Sequence, residues 1–195
     1  MKKVLVVIDC QNDFITGSLR NEEAIKVVPN IVEKINSFNG DLIVASFDTH
    51  DENYLESNEG KKLPFVHCIK DTEGWKLESS IQNAIDEAEE NRKIQVIYVE
   101  KPTFGSDEIP LFIHHLLPYN EELDIEFVGF CTDICVVSNV LITKSAFYNK
   151  ADVRVDASCC AGVSVDKHNA ALLTMRSCQV DIVNWADDPD LKKEN

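Results

Sequence analysis

The stretch Leu123-Asp-Ile-Glu-Phe-Val-Gly-Phe-Cys-Thr-Asp-Ile-Cys-Val136 decides how this chain folds. Its first part, Leu123 to Val128, reads as a buried strand and breaks at Gly129. From Thr132 the pattern turns helical, with Ile134, Val137, Leu141 and Ala146 recurring at three- to five-residue steps. Cys135 therefore falls in the first turn of a helix that follows directly on a strand. Unpaired N–H groups and the positive end of the helix dipole there favour a thiolate. A cysteine hydrolase would keep its nucleophile at such a turn.

A cysteine alone proves little, because free cysteine packs in cores more often than it reacts. Its company raises the odds. Asp9 ends the apolar run Val4-Leu-Val-Val-Ile8 and opens Asp9-Cys-Gln-Asn-Asp-Phe14. Lys101 follows Val96-Ile-Tyr-Val99 inside Glu100-Lys-Pro-Thr-Phe-Gly-Ser106. Three ionisable residues of complementary chemistry thus sit just past strand ends, where ligands bind in open α/β sheets.

Working outward, strand-like runs fall at 3–9, 41–47, 95–100, 123–129, 152–156 and 180–184. Helical patterns intervene at about 22–38, 78–91, 108–117, 132–149 and 165–177. The strands are continuously apolar rather than alternating, as when helices cover both faces of a parallel sheet. The expected fold is a three-layer α/β/α sandwich around a six-stranded, mainly parallel sheet. It forms one domain over 1–195, with a polar, fraying tail after Trp185.

Composition narrows the function. The 195 residues are 44% apolar, enough for a sizeable core. A net charge of −15 without a Lys/Arg block argues against nucleic acid and against a basic membrane-binding face. No apolar run approaches the roughly 20 residues of a membrane span, and Met1-Lys-Lys-Val leads straight into a strand without a cleavage pattern. Seven cysteines, an odd number without framework spacing, suit a reducing compartment, so a cytoplasmic location is expected. Neither Cys131/Cys135 nor Cys159-Cys160 has the spacing of a zinc knuckle or a redox pair. Cys159, Cys160 and Cys178 are expected to pack in or near the core. One of His114-His115 should face solvent while the other packs, and His168 should lie on the polar side of a helix. None of these histidines receives a role, and Asp86-Glu-Ala-Glu-Glu90 reads as a solvated helix face.

The rhythm breaks between Asp48 and Trp75, a connection (about 48–75) longer than packing needs, and such loops are usually functional. Asp48 and His50 are two apart at a strand end, so their side chains leave one face. Glu59 and His67 follow. Two histidines and two carboxylates suit a divalent ion, zinc first, with iron or manganese as alternatives.

Together these segments resemble the isochorismatase-like cysteine hydrolases and, within them, the nicotinamidase branch. Asp9-Cys-Gln-Asn-Asp-Phe14 is similar to the family's Asp-x-Gln-x-Asp-Phe, and Asp48-Thr-His50 to its metal-binding Asp-x-His. Leu63-Pro-Phe-Val-His-Cys68 resembles its Pro-x-His-Cys, Lys101 falls at its lysine, and Gly129 to Val136 resembles its nucleophile signature. The resemblance implies catalytic Asp9, Lys101 and Cys135, and an oxyanion hole from the N–H groups of Cys131 and Cys135 after a cis Phe130–Cys131 bond. It also implies a metal held by Asp48, His50, His67 and a carboxylate, Glu59 first and Glu56 second. Isochorismatase itself lacks the cysteine, so Cys135 points to amide rather than vinyl-ether cleavage.

The resemblance further implies a small-molecule amide as partner, nicotinamide first, in a chain that can assemble as a homo-oligomer. Ring binding would rest on Phe14 and, where relatives often carry an aromatic residue, Pro64. Three other readings compete. A ureido or carbamoyl amide could use the same triad, an idle ligand-binding relative would have a broken one, and a thiol-redox protein would pair Cys135 with a nearby cysteine.

Overall fold

The computed structural model describes residues 1–117 and 121–191. The chain runs β1 (Lys2–Ile8), α1 (Asn12–Ile15), α2 (Glu22–Ser37), β2 (Leu42–Asp48), α3 (Ser79–Glu90) and β3 (Gln95–Lys101). It continues through α4 (Glu108–Leu116), β4 (Leu123–Phe130), a wide turn at Thr132–Val136 and α5 (Val137–Phe147). It closes with β5 (Ala151–Ala161), α6 (Val165–Ser177) and β6 (Asp181–Val183). The six strands lie in the order β3-β2-β1-β4-β5-β6, and every pairing is parallel.

Burial on both faces explains the unbroken apolar strands. In β1, Val4, Val6 and Ile8 pack with Ile109, Ile113, Val140, Leu172 and Met175 of α4, α5 and α6. Leu5 and Val7 face the other way, onto Ile31, Ile35, Ile81 and Ile85 of α2 and α3. Each face needs its own layer, and the three-layer sandwich follows.

The strand order reverses between β1 and β4, and open α/β sheets form their binding crevice at such a reversal. Gly129 lets these two strands approach there. Its φ is +120°, and a Cβ at that position would stand 2.1 Å from the Ile8 carbonyl oxygen.

Several expectations need correction. β5 reaches Ala161 rather than stopping at 156. After an irregularity between Phe127 and Gly129 it pairs Cys160 with Gly129 and Ala161 with Phe130. Asp156, which interrupts the apolar run, is buried in mid-strand because Lys34 pairs with it at 2.8 Å. The residues after Trp185 do not fray as far as 191. Arg176 pairs with Asp188 and Asp190, each at 2.7 Å, and stacks over the Trp185 ring. Residues 192–195 lie outside the described residues. Cys159 and Cys160 are buried as expected, but Cys178 is exposed just past α6.

Gly129→Ala is expected to destabilise the fold by about 3 kcal/mol or more, since it adds both a backbone clash and a disfavoured φ. Chemical denaturation would measure this, and a loss below about 1 kcal/mol would mean that the β1–β4 contact yields easily.

Candidate active site

β1, β2, β3 and β4 end side by side, and their last or next residues carry the chemistry. Asp9 follows β1 with a left-handed φ of +47°, a conformation that aspartate tolerates better than most residues. Asp48 and Lys101 end β2 and β3 and are partners in register. Cys135 lies in the turn after β4.

Lys101 binds these groups together. Its ammonium lies 2.6 Å from Asp9 Oδ2, 3.4 Å from Asp48 Oδ1, 3.7 Å from Cys135 Sγ and 3.2 Å from the Thr103 carbonyl. Lys101 and Asp9 are both fully buried. Ser46 Oγ donates to the other Asp9 oxygen at 2.6 Å. Oδ2 touches Lys101 but makes no aligned hydrogen bond, which leaves it able to accept a proton.

The proton inventory follows from this burial. Burial pushes the Asp9 carboxyl above its ordinary pKa, against the pull of Lys101. Burial alone would lower the Lys101 ammonium, but Asp9, Cys135 and Asp48 raise it, so it stays charged. Burial, seconded by Asp9, pushes the Cys135 thiol well up, and Lys101 offsets this only in part. Against the pull of the helix terminus toward a thiolate, burial at 4% exposure beside a buried carboxylate favours the neutral thiol.

The turn at Thr132–Val136 is also wider than an ordinary helical turn. The Val136 N–H donates to the Cys131 carbonyl, five residues back, at 3.1 Å. Turns of this π type recur at functional sites. The peptide bond Phe130–Cys131 just before it is cis.

Beside the triad, one ligand atom each from Asp48, His50, Glu59 and His67 lies within 4.8 Å of the others. The Nε2 atoms of His50 and His67 face Asp48 Oδ2 at 3.2 and 3.4 Å, and Glu59 Oε1 at 3.7 and 3.9 Å. Glu59 Oε1 is buried without a hydrogen-bond partner. His67 Nδ1 lies 2.8 Å from the Phe65 carbonyl, a contact that fixes its ring. An orphaned carboxylate oxygen facing two imidazole nitrogens fits a divalent ion. Glu56 is exposed and stands outside this group.

Both clusters open on one cavity of about 780 Å³, lined by Phe14, Asp48, Glu59, His67, Cys131 and Cys135, among others. Pro64 is not a wall of it. A tight turn closed by Phe65 N–H to the Leu63 carbonyl (2.8 Å) puts Pro64 at its apex, exposed, while Leu63 and Phe65 line the cavity.

The model of the isochorismatase domain matches residues 3–106 and 115–187. The chain belongs to the isochorismatase family. Among solved structures, it is similar to the nicotinamidase/pyrazinamidase of Bacillus subtilis, at 25% identity and a TM-score of 0.75, over 93% of this chain and 99% of that one. The enzyme of the same name from Streptococcus mutans UA159 gives 25% identity and 0.74 over the same shares. A Pyrococcus horikoshii pyrazinamidase solved in complex with zinc shares the fold, at 23% identity and 0.70 over 95% of this chain and 100% of that one. No curated protein sequence matches significantly.

In this isochorismatase-family site, several supporting contacts carried no signal in the sequence. Gln11 and Asp13 lie inside a recognised motif, yet only the structure shows what they hold. Gln11 Nε2 donates to the carbonyls of Asp48 and Trp75, and its Oε1 accepts from the Asp48 N–H, all at 2.8 Å. Asp13 accepts from the Cys68 N–H at 2.8 Å, so the residues after β1 clamp both ends of the long loop. Tyr54 packs its ring 4.6 and 4.9 Å from those of His50 and His67. Asn139 bonds the carbonyls of Cys135 and Phe104 and the N–H of Ser106, tying the loop after Lys101 to the helix below the thiol.

Because a raised thiol pKa leaves little thiolate at neutral pH, iodoacetamide at pH 7 is expected to label the exposed Cys178 ahead of Cys135. Labelling of Cys135 should then climb as pH rises. Peptide mapping that found Cys135 modified first at pH 7 would contradict the resting thiol.

Proposed function

We propose that this chain is a cysteine amidohydrolase that releases ammonia from nicotinamide or a closely similar small aryl amide. The observation that carries this reading is the sharing of one buried lysine. Lys101 touches the thiol, the carboxylate that can serve it as base, and a carboxylate of the metal set, and both clusters face one cavity. The 25% identity to nicotinamidases over almost the whole chain supports the same class.

In the proposed reaction, Asp9 takes the proton of the Cys135 thiol as sulfur attacks the amide carbon. Lys101 stays charged beside whichever of the two carries the negative charge. The carbonyl electrons move onto oxygen, where the backbone N–H groups of Cys131 and Cys135 would receive the oxyanion. One such donor is typically worth about 3–4 kcal/mol. Collapse breaks the C–N bond, and Asp9 gives its proton to the departing amine, which leaves as ammonia. Water then attacks the thioester with Asp9 again as base, releasing the carboxylic acid and restoring the thiol. A divalent ion on Asp48, His50, Glu59 and His67 would supply Lewis acidity toward the substrate's ring nitrogen or a water; zinc leads, then iron or manganese.

Phe14 and Phe65 line the cavity and offer aromatic surface for a ring. A favourable aromatic pair is worth about 0.5–1.5 kcal/mol beyond area burial. Seven free cysteines also suit the reducing cytoplasm as the place of action. A larger amide, ureido or carbamoyl, stays as the second reading because about 780 Å³ is generous for a pyridine carboxamide. Cavities of roughly 300–1,000 Å³ hold drug-sized ligands.

Ammonia release from nicotinamide against benzamide, which lacks the ring nitrogen, tests the substrate. Nicotinamide should be the faster, Cys135→Ala should be inactive though folded, and Phe65→Ala should raise KM up to about tenfold. Equal rates on both amides would remove the ring-nitrogen contact. No turnover of either would move the assignment to the larger amides.

Purified protein should carry about one divalent ion per chain by elemental analysis, lost in His50→Ala. Glu59→Ala should weaken its affinity roughly 10-fold or more while Glu56→Ala leaves it unchanged. A full metal complement in His50→Ala would overturn the ligand set.

A further inference from the structure

His168 lies on α6, and the proposed reaction gives it no part. It is half-buried, and its Nδ1 lies 2.8 Å from the hydroxyl of Thr132, which is fully buried. Thr132 opens the turn that carries Cys135, three residues before the thiol. The other tethers of this turn come mostly from its own chain segment. Ile134 N–H and Val136 N–H donate to the Cys131 carbonyl, Ser138 Oγ donates to the Ile134 carbonyl, and Asn139 Nδ2 to that of Cys135.

The start of α6 is different, because it reaches the turn from across the chain. Beside the His168–Thr132 contact, the Val163 N–H donates to Asp133 Oδ1 at 2.9 Å. Gly162 makes room for the Asp133 carboxylate and for the close approach of the α6 backbone. A Cβ there would stand 2.8 Å from Asp133 Oδ1 and from the backbone nitrogen of His168. The segment is held in turn from its far side, where Asn21 Nδ2 donates to the Gly162 carbonyl at 2.8 Å. Val163 and Lys167 also line the cavity, so the residues that brace the turn belong to the same wall as the substrate space.

We propose that His168 is a positioning residue: through its hydrogen bond to Thr132 it sets the turn that aims Cys135 at the substrate carbonyl. This rests on the reading of Cys135 as nucleophile. Burial holds the ring below its ordinary pKa despite Asp133, Asp187 and Glu23, so at neutral pH the pair is an uncharged hydrogen bond. A neutral bond to a buried hydroxyl fixes geometry without adding a charge near the thiol. Small errors in the placement of a reacting group are costly in rate, whereas ground-state binding is less sensitive to them.

The test is a double-mutant cycle. Thr132→Val and His168→Ala should each lower kcat about tenfold or more while KM changes less than about threefold, and the double variant should be no worse than either single one. Thr132→Ser, which keeps the hydroxyl, and His168→Asn, which keeps a polar nitrogen near Nδ1, should restore most of the loss. If His168→Ala does not fold, Thr132→Val and His168→Asn carry the cycle. Wild-type kcat in His168→Ala or Thr132→Val, additive losses, or an Asn variant as poor as the Ala variant would each overturn the proposal. Alkylation of Cys135, followed by peptide mapping at pH 9, needs no substrate and separates this idea from the amidase reading. Its rate should change by a common factor in both single variants and the double. An unchanged rate would overturn the positioning role even if the true substrate proved to be another amide.

Discussion

One buried ammonium organises the carboxyl end of the sheet. Lys101 has no exposed surface, and a lone charge in that position would be prohibitively costly. It is tolerated because Asp9, Asp48, the Thr103 carbonyl and the Cys135 sulfur surround it. Such a group is over-determined. Removing one partner of a buried ion pair typically costs about 3–5 kcal/mol, because the other charge stays behind unpaired. The side chains of the proposed triad therefore hold their places by mutual electrostatic need as well as by backbone rigidity, and the cluster of Asp48, His50, Glu59 and His67 is tied to them through Asp48.

The scaffold supplies the rest. A parallel sheet brings strand ends to one edge, and the reversal of strand order between β1 and β4 opens a crevice there. Register makes Asp48 and Lys101 neighbours, while the close approach at Gly129 draws the β1 and β4 ends together. Gln11 and Asp13 then fasten the long loop from the side of β1. The loop is long because it must fold back on itself to return Glu59 and His67 to Asp48. Its interior is stiffened by Tyr54, whose hydroxyl donates to the Leu63 carbonyl.

Much of this was legible in the sequence, and what was missed has a common cause. Six apolar runs announced six strands because both sheet faces are buried, and Asp9, Asp48, Lys101 and Cys135 stood out as ionisable residues at the ends of those runs. Local pattern could not report contacts made across the fold. Asp156 hid the second half of β5, since only its distant partner Lys34 makes a buried carboxylate acceptable. Its place in the motif marks Pro64 as a ring wall, whereas a turn only three residues long decides which neighbours face the cavity. Asn139 and Tyr54 are ordinary residues in sequence, and His168 was noticed without a partner that could give it meaning. The helix terminus at Cys135 favours a thiolate locally, but the cost of burying that charge beside Asp9 appears only once the strand ends are brought together.

That cost bears on how the proposed chemistry would run. A thiol and a carboxylate raised together by the same burial keep the gap between their proton affinities smaller than the rise of the thiol alone implies. Proton transfer depends on this gap, not on either pKa by itself. Lys101 stays charged throughout, so moving the proton from sulfur to Asp9 exchanges one anion for another beside a fixed cation. The total charge of the buried group does not change during that step, and little solvent has to reorganise around it. In the proposed reaction, such a buried group would form the thiolate only as the substrate arrives. Between turnovers of that proposed reaction the sulfur would rest as the neutral thiol, the form less reactive toward oxidants and electrophiles.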